Sequence, residues 1–300
     1  MPKNPNLFII GAAKCATSTV HSLLAQHPQI YMSPLKEPGY FSSKEPKIAK
    51  RRPFVYENET RWRTYKNDLK SYLSLFAGAA DERLLGESST EYSMLPYKQC
   101  VAEKIHNFNQ ASRIVYCMRE PASRAISHYW WDVRHRAEKR GMREALLKDD
   151  YYLNISDYAM QLKPYLELFG AEQVYWLTAE QLGDRPLEVV AKLFQWLRVD
   201  GELRHHDKVV RENVTPQLVQ RIRSPWIHSL RFSYSWDIAG RFVPPAVKRL
   251  LRGIVYEPVP RDDTLSDEVF RELRVIFQDR IAALEKLLRV SFPEWHLNAK

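Results

Sequence analysis

The sequence predicts an α/β fold: a three-layer sandwich with a central parallel sheet and a P-loop-like phosphate-binding turn. Three observations predict it. Short apolar runs alternate along the chain with stretches of helical period. The first run, Leu7-Phe8-Ile9-Ile10, closes on Gly11 and a small-residue turn that opens straight into a helix. No run approaches the roughly 18 apolar residues that a membrane helix needs.

Leu7 to Ile10 suits a parallel strand buried on both faces. Thr17 to Gln26 reads as a helix with Val20, Leu23 and Leu24 inward, ended by His27-Pro28 because proline disfavours a helical residue before it. Ile30-Tyr31-Met32 is a second short strand. Residues 42 to 60 are basic and proline-containing (Lys44, Lys47, Lys50, Arg51, Arg52, Pro53) and read as a loop. Trp62 to Phe76 is an amphipathic helix, while Leu84-Leu85-Gly86-Glu87 and Arg113 to Met118 are strands. A helix follows Pro121, which suits a first turn, and runs to about Arg136. Tyr158, Leu162, Tyr165, Leu166 and Phe169 recur at helical spacing before a Gly170 stop. Val174 to Leu177 is a strand and Leu187 to Leu197 a helix. The last helix spans Ser266 to Leu288, with Val269, Leu273, Ile276, Leu284 and Leu288 along one side. Without an internal repeat or a linker, residues 1–300 are expected to form a single domain, with about 200–260 as a lid or acceptor region.

Composition narrows the function classes. Hydrophobic residues make up 45% of the 300 and aromatics 12%, enough for one sizeable core. The net charge of +9 points to an anionic partner, which nucleic acid, an anionic membrane, an acidic glycan or a nucleotide would each satisfy. The start, Met1-Pro2-Lys3-Asn4-Pro5, lacks the apolar segment of a signal peptide, and the three cysteines have no metal-ligand spacing. A reduced, cytoplasmic setting is expected. The histidines supply no HExxH pattern, so no metal is expected.

Two segments carry chemistry. Gly11-Ala12-Ala13-Lys14-Cys15-Ala16-Thr17-Ser18-Thr19 lies between the first strand and first helix, where backbone N–H groups and the positive helix end face an anion. Lys14 adds a point charge; Thr17 and Ser18 add hydroxyls. A nucleotide-triphosphate loop would end in Gly-Lys-Ser/Thr to bind magnesium, but Cys15 follows Lys14. The later strand ends in Arg119, where such an enzyme wants an acidic metal ligand. The second segment, Arg119-Glu120-Pro121-Ala122-Ser123-Arg124-Ala125-Ile126-Ser127, pairs an arginine at a strand end with a serine two turns into the next helix. Both types suit a terminal phosphate.

Together these segments resemble the PAPS-dependent sulfotransferase family, PAPS being 3′-phosphoadenosine 5′-phosphosulfate. The first is similar to that family's 5′-phosphosulfate loop, and the second to its 3′-phosphate motif, an arginine with a serine eight positions on. Lys36-Glu37-Pro38-Gly39-Tyr40-Phe41 resembles the Lys-Glu-x-x-Phe-Phe segment of heparan-sulfate-type and bacterial members. Gly86-Glu87-Ser88-Ser89-Thr90-Glu91-Tyr92, the segment from Tyr158 to Tyr165, and the long last helix with Trp295 behind it are also similar. The chain departs from the family at Ala16, often glycine, and at Ser88, lysine in several glycan sulfotransferases.

The resemblance implies sulfuryl transfer from PAPS to a hydroxyl or amine of a small molecule or glycan, without a metal. Lys14 would serve the 5′-phosphosulfate and the departing oxygen. Gly11, Ala12, Ala13, Cys15, Ala16, Thr17 and Ser18 would cradle the 5′-phosphate, and Arg119 and Ser127 the 3′-phosphate. Glu37 would be the general base, its pKa set by partial burial among Tyr40 and Phe41. Its alternative is a salt bridge to Lys36. His21, His106 and His128 are substitute or assisting bases, and Asn213 and Thr215 further cofactor contacts. Two other readings stay open: a nucleotide-dependent kinase with a P-loop, and a nucleic-acid-binding protein using the basic run Lys44 to Arg52 and the stretch Ser229 to Tyr256. A membrane-surface helix within Phe232 to Tyr256 is the alternative to a lid.

Overall fold

β1 (Leu7–Gly11) is buried along its whole length and lies in the middle of the molecule's main sheet. This computed structural model describes residues 4–42, 65, 68–135, 138–200, 218–223 and 255–297. The sheet has five strands in the order β2-β3-β1-β4-β5, adding β2 (Ile30–Met32), β3 (Leu84–Ser88), β4 (Arg113–Met118) and β5 (Val174–Thr178). Every neighbouring pair is parallel, with Leu7 beside both Gly86 and Arg113. Strands covered on both faces need continuous apolar runs. The expected strands all form.

The order of connection fixes where a ligand can sit. After β1 the chain crosses toward β2, whereas after β4 it continues the other way to β5. Adjacent strands with diverging connections leave a crevice beyond their carboxyl ends, which is where open α/β sheets bind ligands. The turn after β1 and Arg119 after β4 both open onto it.

The helices fall close to expectation. α1 (Thr17–Leu24) follows β1. Within the expected Trp62 to Phe76, α2 (Leu69–Ser74) starts afresh after Asp68, which is extended (φ −131°, ψ 119°) and whose carboxylate caps Ser71 N at 2.7 Å; of 62–67 only Tyr65, which is helical, is among the described residues. α3 (Val101–Phe108) precedes β4 and α4 (Pro121–His135) follows it. α5 (Met142–Leu147) and α6 (Asp150–Ile155) come next, unforeseen because each is under two turns. α7 (Tyr158–Phe169) stops at Gly170, whose φ of 73° a side chain would resist. α8 (Ala179–Asp184) carries a capping box from Thr178 and Gln181, and α9 (Pro186–Leu197) closes the β5 unit.

The chain then departs from the parallel pattern. β6 (Leu218–Ile222) and β7 (Tyr256–Pro260) form an antiparallel ribbon, joined by an Arg221–Glu257 ion pair at 2.6 Å. The ribbon falls within the region expected as a lid. The rest of 200–260, with Asn213, Thr215 and the possible membrane-surface helix, lies outside the described residues, as does most of the basic loop at 42–60. α10 (Asp263–Leu288) begins three residues before the expected start, where Asp262 caps Leu265 N at 3.0 Å. Its buried face is Val269, Leu273, Phe277, Ile281 and Leu284; Ile276, expected inward, is 39% exposed because the larger Phe277 takes the core position. Beyond it, Trp295 is fully buried and stacks on Phe292 at 4.3 Å. Among the described residues, no helix is long and apolar enough to cross a membrane.

Candidate active site

The turn after β1 is shaped by what lies beneath it. Gly11 has φ of +144°, and a Cβ there would overlap the hydroxyl of Ser93, which donates to Ile10 O at 2.8 Å. Only glycine lets the chain pass. Ala12 N donates to Cys117 O at 2.7 Å and Cys15 N to Ala12 O at 3.2 Å, so these two amides are turned into the protein. Cys15 is fully buried, 3.7 Å from the Tyr158 hydroxyl, and burial pushes its thiol up to about 12. Cys117 beneath it is likewise buried with a raised pKa, while Cys100, at the start of α3, is exposed. The donor role is left to the amides of Ala13, Lys14, Ala16 and the first turn of α1. Ala16 is the N-cap residue of α1 and has no side-chain oxygen to occupy those amides.

Cations gather at the crevice. The Lys14 pKa is lowered by burial first and by Arg119 next, with Arg134 adding to it. A lysine pressed toward arginines is a site prepared for an anion. Arg119 is held by its backbone: Tyr158 donates to Arg119 O at 2.6 Å. Ser127 is partly exposed on α4, two turns beyond Pro121. Glu120 caps the start of α4 through Ala122 N at 3.1 Å and Ser123 N at 2.6 Å.

The second arginine of this segment does a different job. Arg124 is fully buried and donates to Ala13 O at 3.4 Å, Tyr152 O at 2.9 Å and Ser156 Oγ at 2.5 Å, with His128 Nδ1 at 3.0 Å. It is a floor beneath the turn, and His128 belongs to that floor. Nothing in the local spacing separates this arginine from one on a solvated face.

Across the crevice, the chain after β2 runs along β3: Ser33 N donates to Gly86 O and Glu37 N to Ser88 O, each at 2.8 Å. Glu37 has φ of 58°, and its carboxylate accepts from Thr90 N at 2.8 Å and from the Thr90 hydroxyl at 3.2 Å. Burial raises its pKa, opposed by Lys36 and by the Thr90 bonds. Besides acting on Glu37, the Lys36 ammonium donates to the Ser18 hydroxyl at the start of α1. That contact joins the Glu37 segment to the turn after β1 and brings in a second lysine beside Lys14. His21 Nδ1 lies 2.7 Å from Ser88 Oγ, and burial, then Lys36, pulls its pKa to about 4, so the ring is neutral near pH 7. His106 packs edge-on against Phe169 at 5.2 Å, away from this chemistry.

The Sulfotransferase domain family matches residues 4–217. A crystal structure of a sulfotransferase from Alicyclobacillus acidocaldarius is 27% identical, covers 98% of this chain and 99% of its own, and superposes with a TM-score of 0.68. The membrane-associated sulfotransferase kil1 of Dictyostelium discoideum is 26% identical over 43% of this chain and 23% of its own length. Carbohydrate sulfotransferase 15 of Mus musculus is 21% identical over 65% of this chain and 44% of its own length. The chain thus spans less than half of either curated relative. Since the family match takes in more than half of the chain, including the turn after β1, the Glu37 segment and Arg119, the chain belongs to the sulfotransferase family.

Proposed function

We propose that this chain transfers a sulfuryl group from PAPS to a hydroxyl or amine of a small-molecule or glycan acceptor, with Glu37 as general base. The observation that carries this reading is the opposition of two chemistries across one crevice. On one side are the turn amides with Lys14 and Arg119; on the other is a carboxylate whose pKa burial has raised.

PAPS supplies the activated sulfuryl group and a good leaving phosphate. The amides of Ala13, Lys14 and Ala16 and the first turn of α1, with Thr17 and Ser18, hold the 5′-phosphate. Gly11, Ala12 and Cys15 shape that turn. Lys14 neutralises charge as it grows on the departing oxygen, and Lys36, already on Ser18, is placed to assist. Arg119 and Ser127 take the 3′-phosphate. The Glu37 carboxylate receives the acceptor proton, and its Thr90 contacts keep it oriented meanwhile. We infer that residues 1–300 form a single domain, a reading supported by the extent of the match to the bacterial structure.

Calorimetric titration with 3′-phosphoadenosine 5′-phosphate (PAP), with 5′-AMP as control, tests the donor site. Binding is expected to require the 3′-phosphate. Lys14→Ala or Arg119→Ala should each weaken it about 10- to 100-fold, the worth of one charge-assisted hydrogen bond. Equal binding of 5′-AMP would overturn the assignment.

A further inference from the structure

Glu87 is a charged residue on β3 with no contact to solvent, and the mechanism above gives it no task. A buried carboxylate is costly unless its oxygens are satisfied. This one receives three hydroxyls: Tyr72 at 3.1 Å and Tyr92 at 2.6 Å on Oε1, and Ser89 at 2.7 Å on Oε2. Each donor reaches onward to the same short segment. Ser89 Oγ accepts from Gly39 N at 3.0 Å, and the Tyr92 hydroxyl accepts from Phe41 N at 3.4 Å. The Tyr72 ring stacks on Tyr40 at 4.5 Å and meets Phe41 edge-on at 5.7 Å.

All three partners of Glu87 therefore grip residues 39–41, immediately after Glu37. Glu37 itself is bound just beyond Glu87 in the chain, through Ser88 O and Thr90, which flank Ser89. Its φ of 58° is one a non-glycine residue keeps only when the surroundings impose it.

We propose that Glu87 is a positioning residue: its buried carboxylate, acting through Ser89, Tyr92 and Tyr72, fixes the segment from Glu37 to Phe41 and so aims the Glu37 carboxylate into the crevice. The inference rests on the reading of Glu37 as general base. The geometry requires an acceptor on both oxygens. A glutamine keeps one oxygen and puts an amide in place of the other, so the hydroxyl or hydroxyls on that side lose their acceptor. Burial, against the three hydroxyl bonds, pushes Glu87 up to about 7, with Glu37 adding to the rise. The other titratable groups around this pair are Tyr72, Tyr92, Tyr165, Lys36 and Glu91.

The test uses the full chain and three variants: Glu87→Gln, Tyr92→Phe, which removes a single bond of the relay, and Glu37→Gln. Hydrogen exchange of Gly39 and Phe41, which needs no acceptor, is expected to quicken about tenfold in Glu87→Gln and less in Tyr92→Phe. Turnover from PAPS to p-nitrophenol, or to water, should fall about 10- to 100-fold in kcat for Glu87→Gln, with PAP affinity within twofold of wild type. Unchanged exchange, or a loss of PAP affinity that matches the loss of kcat, overturns the proposal. Full activity in Glu37→Gln overturns instead the general-base reading beneath it.

Discussion

Lys14, Ala16 and Glu37 hold φ angles of 72°, 62° and 58°, in a left-handed region that costs a side-chain-bearing residue about 1–2 kcal/mol. The cost gathers where amides, a lysine and a carboxylate must face a ligand, a common place for backbone strain. Ala16 uses no side-chain atom there, so Ala16→Gly should raise stability by up to about 1 kcal/mol, after the entropy glycine adds to the unfolded chain. Urea midpoints read this directly. Activity should require the ionised form of Glu37, and because burial raises its pKa, the acid limb should lie above the ordinary value of 4.5. Glu37→Gln is expected to lower kcat about 10²- to 10⁴-fold at an unchanged PAP Kd. His21 and His135 also act on stability. Both are pulled to about 4 from 6.5, so the unfolded chain binds more protons between those values. Their contribution is full above 6.5 and lost as pH falls toward 4, and His21→Gln should flatten that slope of the urea midpoint.

Among the elements, α10 gives the sharpest prediction. Phe277→Ala should cost about 3–5 kcal/mol, whereas Val275→Ala, 60% exposed, should change the urea midpoint little. The exchange of Ile276 for Phe277 on the buried face shows what sequence periodicity leaves open. Two neighbouring apolar residues both fit a helical stripe, and the space in the core decides between them. The strands β1 and β4 were legible because burial along nearly their whole length writes itself as an apolar run. The β6–β7 ribbon was not: its partners lie far apart in sequence and β7 carries Pro258 and Pro260, which argue locally against a strand. The same limit governs the site. Lys14 and Arg119 announced themselves as charges placed just after strands. Arg124, Glu87 and Lys36 did not, because a charged residue reads alike on a solvated face and on a buried one.

Over the whole molecule the parallel sheet has two unlike ends. The turn after β1, the Glu37 segment beside β3 and Arg119 after β4 share the carboxyl end, while Arg113 opens β4 at the other end, over the Trp196 ring at 5.2 Å. Arg113→Ala should therefore leave PAP affinity within about twofold, although Arg119→Ala, six residues along the same segment, weakens it at least tenfold. The burial of Cys15 and Cys117 has a practical consequence. With both thiols sealed under the turn after β1, a thiol-reactive dye should couple to the native protein once per chain, at Cys100, and to all three cysteines only after denaturation. A dye there sits at the head of α3, whose far end at Phe108 packs on Phe41 behind Glu37, so the unaltered sequence carries a ready optical reporter on a helix that touches the Glu37 segment.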